Sequence, residues 1–311
     1  MEENHTECKL QLGFEGEILG SICFHSCLAI GGSVGNVLLI LVIIRTQSIK
    51  TVCGLLISNV AVADLLVTSV VMPIIVVALI QGFFPQLCLF IPVMTFAVMA
   101  ALFSATASIL TLTTLSIDRC FAISNPLKHK VWVTFTKVKI LIAIIWIISL
   151  VLPITETINP GVLRASSILQ TVGVGLCYVA IIISGIFTIR KVCKSSLHMS
   201  ALHNNQGRNN MNADLYQRNK QVAKTVAWVI LLFSLCWLPI SVVVSLDYSR
   251  SNDRKLYFWC GTLGLANSVV TPWVYFYRQA NYRRALKNLV DRKSTRLNSS
   301  HMSESRMPSS A

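Results

Sequence analysis

Seven stretches of this chain run for about 20 residues or more with almost no charge, and a helix of about that length is what a bilayer core demands. They are Leu19–Ile44, Cys53–Leu79, Leu87–Ile117, Val138–Ile158, Ile168–Ile189, Val222–Leu246 and Leu256–Tyr277. Hydrocarbon offers backbone amides no partner, so each block must close its hydrogen bonds within itself. Of the 311 residues 54% are hydrophobic and 13% charged, about half the charge of a soluble domain. A soluble enzyme, a disordered chain and a coiled coil are excluded. The predicted fold class is an all-α membrane protein, a seven-transmembrane helix bundle.

The second block is interrupted only by Asn59, Asp64 and a Pro73 kink, and the fifth holds Gly173 and Gly175 but no proline. The connection Lys191–Gln221 is polar and basic and reads as a mobile loop. Past the seventh block, Asn281–Val290 alternates Tyr282, Ala285, Leu286 and Leu289 with Arg283, Arg284 and Lys287. That pattern predicts a short amphipathic helix lying in the interface. The chain divides into an outer segment (1–18), the bundle (19–278), the amphipathic helix (279–290) and a tail (291–311). There is no internal repeat, no Gly-rich phosphate loop and no metal-spaced Cys/His cluster.

The formal net charge of +14 would suggest nucleic acid in a soluble protein. Here it sorts by side of the membrane. The connections after odd-numbered blocks, with Arg119 and the tail up to Lys287, hold 18 basic residues against Asp118 and Asp214. The opposite side holds five basic residues against eight acids. Positive charge stays inside, so a multi-pass protein with an outer N-terminus is expected, with no nucleic-acid partner. Asn4-His5-Thr6 is then an outer glycosylation sequon, and the first 17 residues are too polar and acidic for a cleavable signal peptide. The inner basic rim equally suits anionic lipid.

Asp64 is the one carboxylate within a span interior, where an ionised group costs several kcal/mol unless paired or hydrated. Two readings stand open. Its oxygens suit a small hard cation, or it hydrogen-bonds Asn36 and Ser268 in a structural network.

From about Ser33 to Tyr282 the chain resembles the rhodopsin-like G-protein-coupled receptors. The resemblance rests on Gly35-Asn36-Val37, on Asn59 with Asp64, on Asp118-Arg119-Cys120 with Pro126, and on Trp146. It continues through Phe233, Cys236-Trp237-Leu238-Pro239, Asn267-Ser268, Thr271-Pro272-Trp273-Val274-Tyr275 and Tyr282. It implies a receptor, not an enzyme, at the plasma membrane, passing an extracellular signal to a heterotrimeric G protein as the sixth span moves outward. Asp118, Arg119, Tyr178, Pro272 and Tyr275 would form the coupling switch, and Ile109, Phe233, Trp237 and Pro239 the toggle below the pocket. Asp64, Ser108, Asn267 and Ser268 would hold an allosteric sodium ion, with no covalent cofactor. Arrestin and membrane lipids are further expected partners. A transporter or channel, the alternative class, would want more intramembrane charge or broken helices.

Several departures narrow this expectation. The acid beside Lys220 that would lock the sixth span to Arg119 is absent, and Asn219 stands there, implying a weaker inactive lock. The usual disulfide cannot form: the loop Thr155–Ser166 has no cysteine, and the span-three position holds Met94. Of the outer cysteines Cys8, Cys88 and Cys260, one pair at most could bridge. A short cysteine-free loop and no span-five proline are similar to the melanocortin, cannabinoid and lysophospholipid branch. Ala101 stands where amine receptors place an aspartate, and no lysine is available for a retinal Schiff base. The inferred pocket wall is Val98, Ala101, Leu102, Ala105, Ile240, Ser241 and Val244. Such apolar walls suit a hydrophobic or lipid-like ligand; the alternative is a peptide held by Glu156, Asp247 and Asp253. Finally, Asp291–Ala311 resembles the translation of a sequencing-library adapter and on that reading is no part of the fold, the alternative being a Ser-rich tail open to phosphorylation.

Overall fold

A computed structural model describes residues 17–81, 90–158, 163–202, 210–245, 254–289 and 291. Among the described residues there is no strand. The helices are α1 Ile18–Arg45, α2 Val52–Leu66, α3 Met72–Gln81, α4 Phe90–Ser124, α5 Pro126–Trp132, α6 Phe135–Ile158, α7 Leu163–Leu202, α8 Asn210–Ser245 and α9 Arg254–Arg278. A last helix, α10, covers 280–289. Each apolar block is thus helical over its described residues, as backbone satisfaction in hydrocarbon requires.

By length and apolarity alone, α1, α2 with α3, α4, α7 and α8 can cross a bilayer, and α6 with α5, bent by 72° at their break, is a sixth. The seventh, α9, is the least apolar for a structural reason. Its Thr262, Asn267, Ser268 and Thr271 are buried, while Leu263, Val270 and Trp273 are exposed. Its polarity faces the bundle interior, so average hydropathy understates what lipid sees. The same inversion runs through the molecule: Ile30, Ile147 and Leu176 are exposed, whereas Ser21, His25, Asn36 and Asp64 are buried.

The helix α4 sits centrally, touching α2, α3, α6, α7 and α8; α1 packs between α2 and α9, and α8 lies mainly on α9. Small residues allow the closest approach, as is usual where lipid gives no hydrophobic drive between helices. A Cβ on Gly35 would stand 2.9 Å from the Pro272 ring. Across the same seam, His25 meets Thr262 at 3.3 Å and Asn36 donates to the Ser268 carbonyl at 2.9 Å.

Three sequence expectations need correction. The break before Pro73 is not a simple kink: Val67–Val71 forms a π-helical turn between α2 and α3. Proline removes one ladder amide, and an extra residue per turn absorbs the mismatch. Neighbouring hydroxyls help, Thr68 donating to the Asp64 carbonyl at 3.1 Å and Ser69 to the Leu65 carbonyl at 2.6 Å. Second, much of Lys191–Gln221 is helix, because α7 continues to Leu202 and α8 begins at Asn210. Hydropathy marks where lipid ends, whereas the i→i−4 ladder continues through any good helix former. For that reason α4 also runs past Ile117 to Ser124. Third, the connection between α4 and α6 contains the unanticipated α5, started by Pro126 at its first position.

The amphipathic helix is present over 280–289, with Tyr282 and Ala285 buried and Arg283, Arg284 and Lys287 exposed. Arg283 donates to the Phe276 carbonyl at 3.4 Å and to that of Tyr277, closing the end of α9. Cys260 is a buried free thiol. Asn4, Cys8, Cys88, Asp247, Asp253 and the run 292–311 lie outside the described residues, as does the side chain of Glu156.

Overpacking the α1–α9 seam should be felt. Gly35→Ala is expected to cost about 1–3 kcal/mol, lowering the thermal midpoint in detergent micelles. Gly20→Ala, with nothing within 4 Å of the new methyl, should leave it unchanged.

Candidate functional site

Polar and aromatic side chains form four tiers along the interior. At the first, Lys255 in the opening turn of α9 donates to Glu17 Oε1 at 2.5 Å and holds that exposed carboxyl below its ordinary range. Below it lies the expected pocket wall. Ala101, Leu102, Ala105 and Ile240 are half-buried, Val98 and Ser241 are exposed, and the Val244 side chain lies outside the described residues. Ser241 donates to the Trp237 carbonyl at 2.8 Å. No position of this wall carries charge.

The second tier is aromatic. Phe233 and Trp237, one turn apart on α8, stack at 5.9 Å and 26°. Gly264 of α9 leaves room against the indole, since a Cβ there would meet it at 3.6 Å. Ile109 and Phe233 are buried in the core cluster, with Trp237 packed against it. Pro239 interrupts the ladder two residues further on.

The third tier surrounds Asp64, which is 1% exposed. Its carboxyl lies in hydrogen-bonding reach of the Ser268 and Thr271 hydroxyls. Asp64 Oδ2 and Ser108 Oγ are buried without a hydrogen-bond partner, as is the Tyr275 hydroxyl. Asn36 spends its amide on the Gly32 and Ser268 carbonyls at 3.0 and 2.9 Å rather than on Asp64. Asn267 and Ser268 are buried beside it. Buried oxygens without partners are costly, and this cluster of hydroxyl and carboxylate oxygens fits a small hard cation. Thr271 was not anticipated. Its spacing of one helical turn from Asn267 was the available signal.

The fourth tier is Arg119, 8% exposed. Its Nε donates to Asp118 Oδ2 at 2.9 Å and its Nη2 to the same oxygen. The other oxygen, Oδ1, meets His129 Nε2 at 2.7 Å. His129 was also missed: it lies 11 residues along the chain, and only the reversal through α5 brings it back. Tyr275 is fully buried against Tyr282 at 6.0 Å, and Pro272 faces Gly35. Tyr178 on α7 is half-buried beside Ser234 of α8 rather than at Arg119. Ser116 and Ser184 join α4 to α7 at 2.7 Å.

Beside Arg119 a cleft of about 990 Å³ opens between α7 and α8. Its walls are apolar, and its mouth carries Lys220, Lys224 and Arg278. Trp228 stacks under Arg278 at 5.2 Å, and Gln221 donates to the Arg278 carbonyl at 3.1 Å. The stretch of α8 from Gln221 to Trp228 is therefore tied to α9 and not to α7.

The fold and its tiers define a multi-pass helical membrane protein with a polar interior running from one end to the other. The chain belongs to the 7 transmembrane receptor (rhodopsin family), whose sequence model matches residues 35–275. It is 26% identical to the "Alpha-1A adrenergic receptor" of Oryzias latipes over 83% of this chain and 64% of that protein. It is 28% identical to the "Alpha-1A adrenergic receptor" of Rattus norvegicus over 88% and 67%. It is 24% identical to the "QRFP-like peptide receptor" of Branchiostoma floridae over 87% and 77%. The chain thus spans about two thirds of the adrenergic relatives' length.

Removing the second partner of Asp118 should be measurable. His129→Ala is expected to lose about 1.5–3 kcal/mol, the contribution of a hydrogen bond to a charged group, read as a lower thermal midpoint. Phe121→Leu, which removes only the ring 5.6 Å from His129, should cost less.

Proposed function

We propose that this chain is a ligand-activated receptor that promotes nucleotide exchange on a heterotrimeric G protein and catalyses nothing itself. The observation that carries the reading is Arg119, buried and held by Asp118 of its own helix at the edge of an open basic cleft. Outward movement of α8 would uncover this guanidinium to the G protein, with only its neighbour in sequence to restrain it. Asn219 in place of the family's acid makes the restraint lighter still. The end bearing Arg45, Arg119 and Arg278 would face the cytoplasm, and Glu17 and Asn4 the outside of the plasma membrane. Arrestin would share the cytoplasmic face.

Ligand action is a population shift. Moving the bundle from 1% to 99% active needs about 5.5 kcal/mol of differential affinity, so a lighter restraint leaves more basal activity. The sodium proposal rests on the oxygens left without partners. Asp64, Ser108, Asn267, Ser268 and, in addition, Thr271 would hold the ion, which supplies compensating positive charge to a buried carboxylate.

For the ligand, a hydrophobic or lipid-like molecule agrees best with Val98, Ala101, Leu102, Ala105 and Ile240. The likeness to adrenergic receptors does not carry an amine with it, because Ala101 offers no carboxylate. A peptide is the second reading, favoured by the similarity to a peptide receptor and by Glu156, Asp247 and Asp253 at the outer end.

The purified chain should accelerate nucleotide exchange above empty bilayers even without ligand, and Arg119→Ala should reduce exchange to the unassisted rate. Equal behaviour of the two across a G-protein and ligand panel would overturn the signalling proposal. Basal signalling in cells no greater than in mock-transfected controls would overturn the light restraint alone. For the ion, sodium should raise the thermal midpoint over choline at equal ionic strength, and Asp64→Asn should abolish that rise. A rise of the same size in Asp64→Asn would move the ion elsewhere.

A further inference from the structure

The cleft between α7 and α8 has a second property that signalling does not use: it lies between two spans that scarcely touch. The two meet at Tyr178 and Ser234. On the Arg119 side of that contact the walls separate, from Ile181 to Ile189 on α7 and from Leu231 back to Lys220 on α8. At 1.5 Å per residue the opening is about 12–16 Å long, close to the depth of one leaflet's hydrocarbon. Ile189 is 62% exposed and Leu231 47%, so the rim is itself apolar and turned outward. Gly185 faces the space with nothing within 4 Å of where a side chain would begin.

An apolar slot of this size at membrane depth does not hold water, which needs polar partners. Hydrocarbon from the bilayer fills it instead. The mouth selects which hydrocarbon. Lys220 and Lys224 meet no acid among the described residues, while Arg278 is already stacked on Trp228. No acid lines the cleft among the described residues, and Asp118, next to the lining residue Arg119, is already occupied by Arg119 and His129. Trp228 stands at the same level, where indoles mark the boundary between acyl chain and headgroup. Apolar walls below two uncompensated lysines are complementary to one molecule type in that place, a phospholipid with a net-negative headgroup.

We propose that the α7–α8 cleft is a binding site for an anionic phospholipid. One acyl chain lies along Gly185 and Leu231, and the headgroup phosphate is held by Lys220 and Lys224. The site needs only a bilayer around α7 and α8 and stands whichever protein docks beside Arg119.

The test is native mass spectrometry of the full chain released from micelles doped with equal phosphatidylglycerol and phosphatidylcholine. Wild type is expected to retain one phosphatidylglycerol with about 30-fold preference, as two basic contacts of about 1 kcal/mol each imply. The double variant Lys220→Gln/Lys224→Gln should retain lipid without that preference. Gly185→Leu, which fills the slot with both lysines intact and adds a better helix former, should lose the retained lipid. Unchanged thermal midpoints verify that both variants fold. Equal retention of the two lipids by wild type, or a preference surviving both changes, overturns the proposal. So does hydrogen-exchange protection of 181–189 that appears only on adding G protein and is identical in both lipids, since the occupant is then a protein helix.

Discussion

Hydrocarbon donates and accepts no hydrogen bonds, and the placement of every polar side chain in this bundle answers to that. Most hydroxyls answer locally. Thr106, Thr111, Thr113, Thr114, Ser149, Thr225 and Ser234 each donate to the carbonyl one turn back. A smaller set crosses between helices, and these decide what is rigid. Asn59 takes the Trp146 indole at 2.9 Å and reaches Thr111 at 2.8 Å, pinning α2, α4 and α6 together. Ser104 adds a bond to the Ala63 carbonyl at 2.6 Å. Asn36 and His25 pin α1 to α9.

Against that frame α8 is held differently. Its inner face is joined by packing of Val226, Val229 and Phe233, and its polar ties are Tyr178 with Ser234 and Gln221 with Arg278. Packing contacts are non-directional and can be re-made after a small slide, whereas a buried amide bond must be broken. The bundle is thus divided into a bonded half and a packed half. Arg119 lies where the two halves meet.

How much of this was legible in the chain depended on the kind of signal. Span positions and the polar seam followed from charge-free length and from Asn36, Asp64, Asn267 and Ser268 standing in apolar runs, because hydrocarbon penalises such residues unless they face inward. Helix ends were less legible, as α7 and α8 show, since nothing in a polar helical run marks where lipid stops. The partners of Asp118 were half legible: Arg119 is adjacent, but His129 arrives only through the turn at Pro126. The π-turn left no compositional trace, because Val67, Val70 and Val71 suit any helical geometry in lipid. The cleft was invisible for a related reason, being a property of two helices that do not meet.

That π-turn sets the phase of everything beyond it. An α-helix advances about 100° per residue, so one extra residue in Val67–Val71 rotates α3 against α2 by that angle. As built, Ile75, Ala78 and Leu79 turn inward while Pro73, Val77 and Ile80 face out. Every residue from Met72 to Ile80 is apolar, so dropping or adding one residue would bring a different set inward at little cost in hydrophobic burial. The outer end of the second span is therefore a rotary dial. Its setting changes which side chains border the neighbouring helices without changing the hydropathy profile that makes it a span.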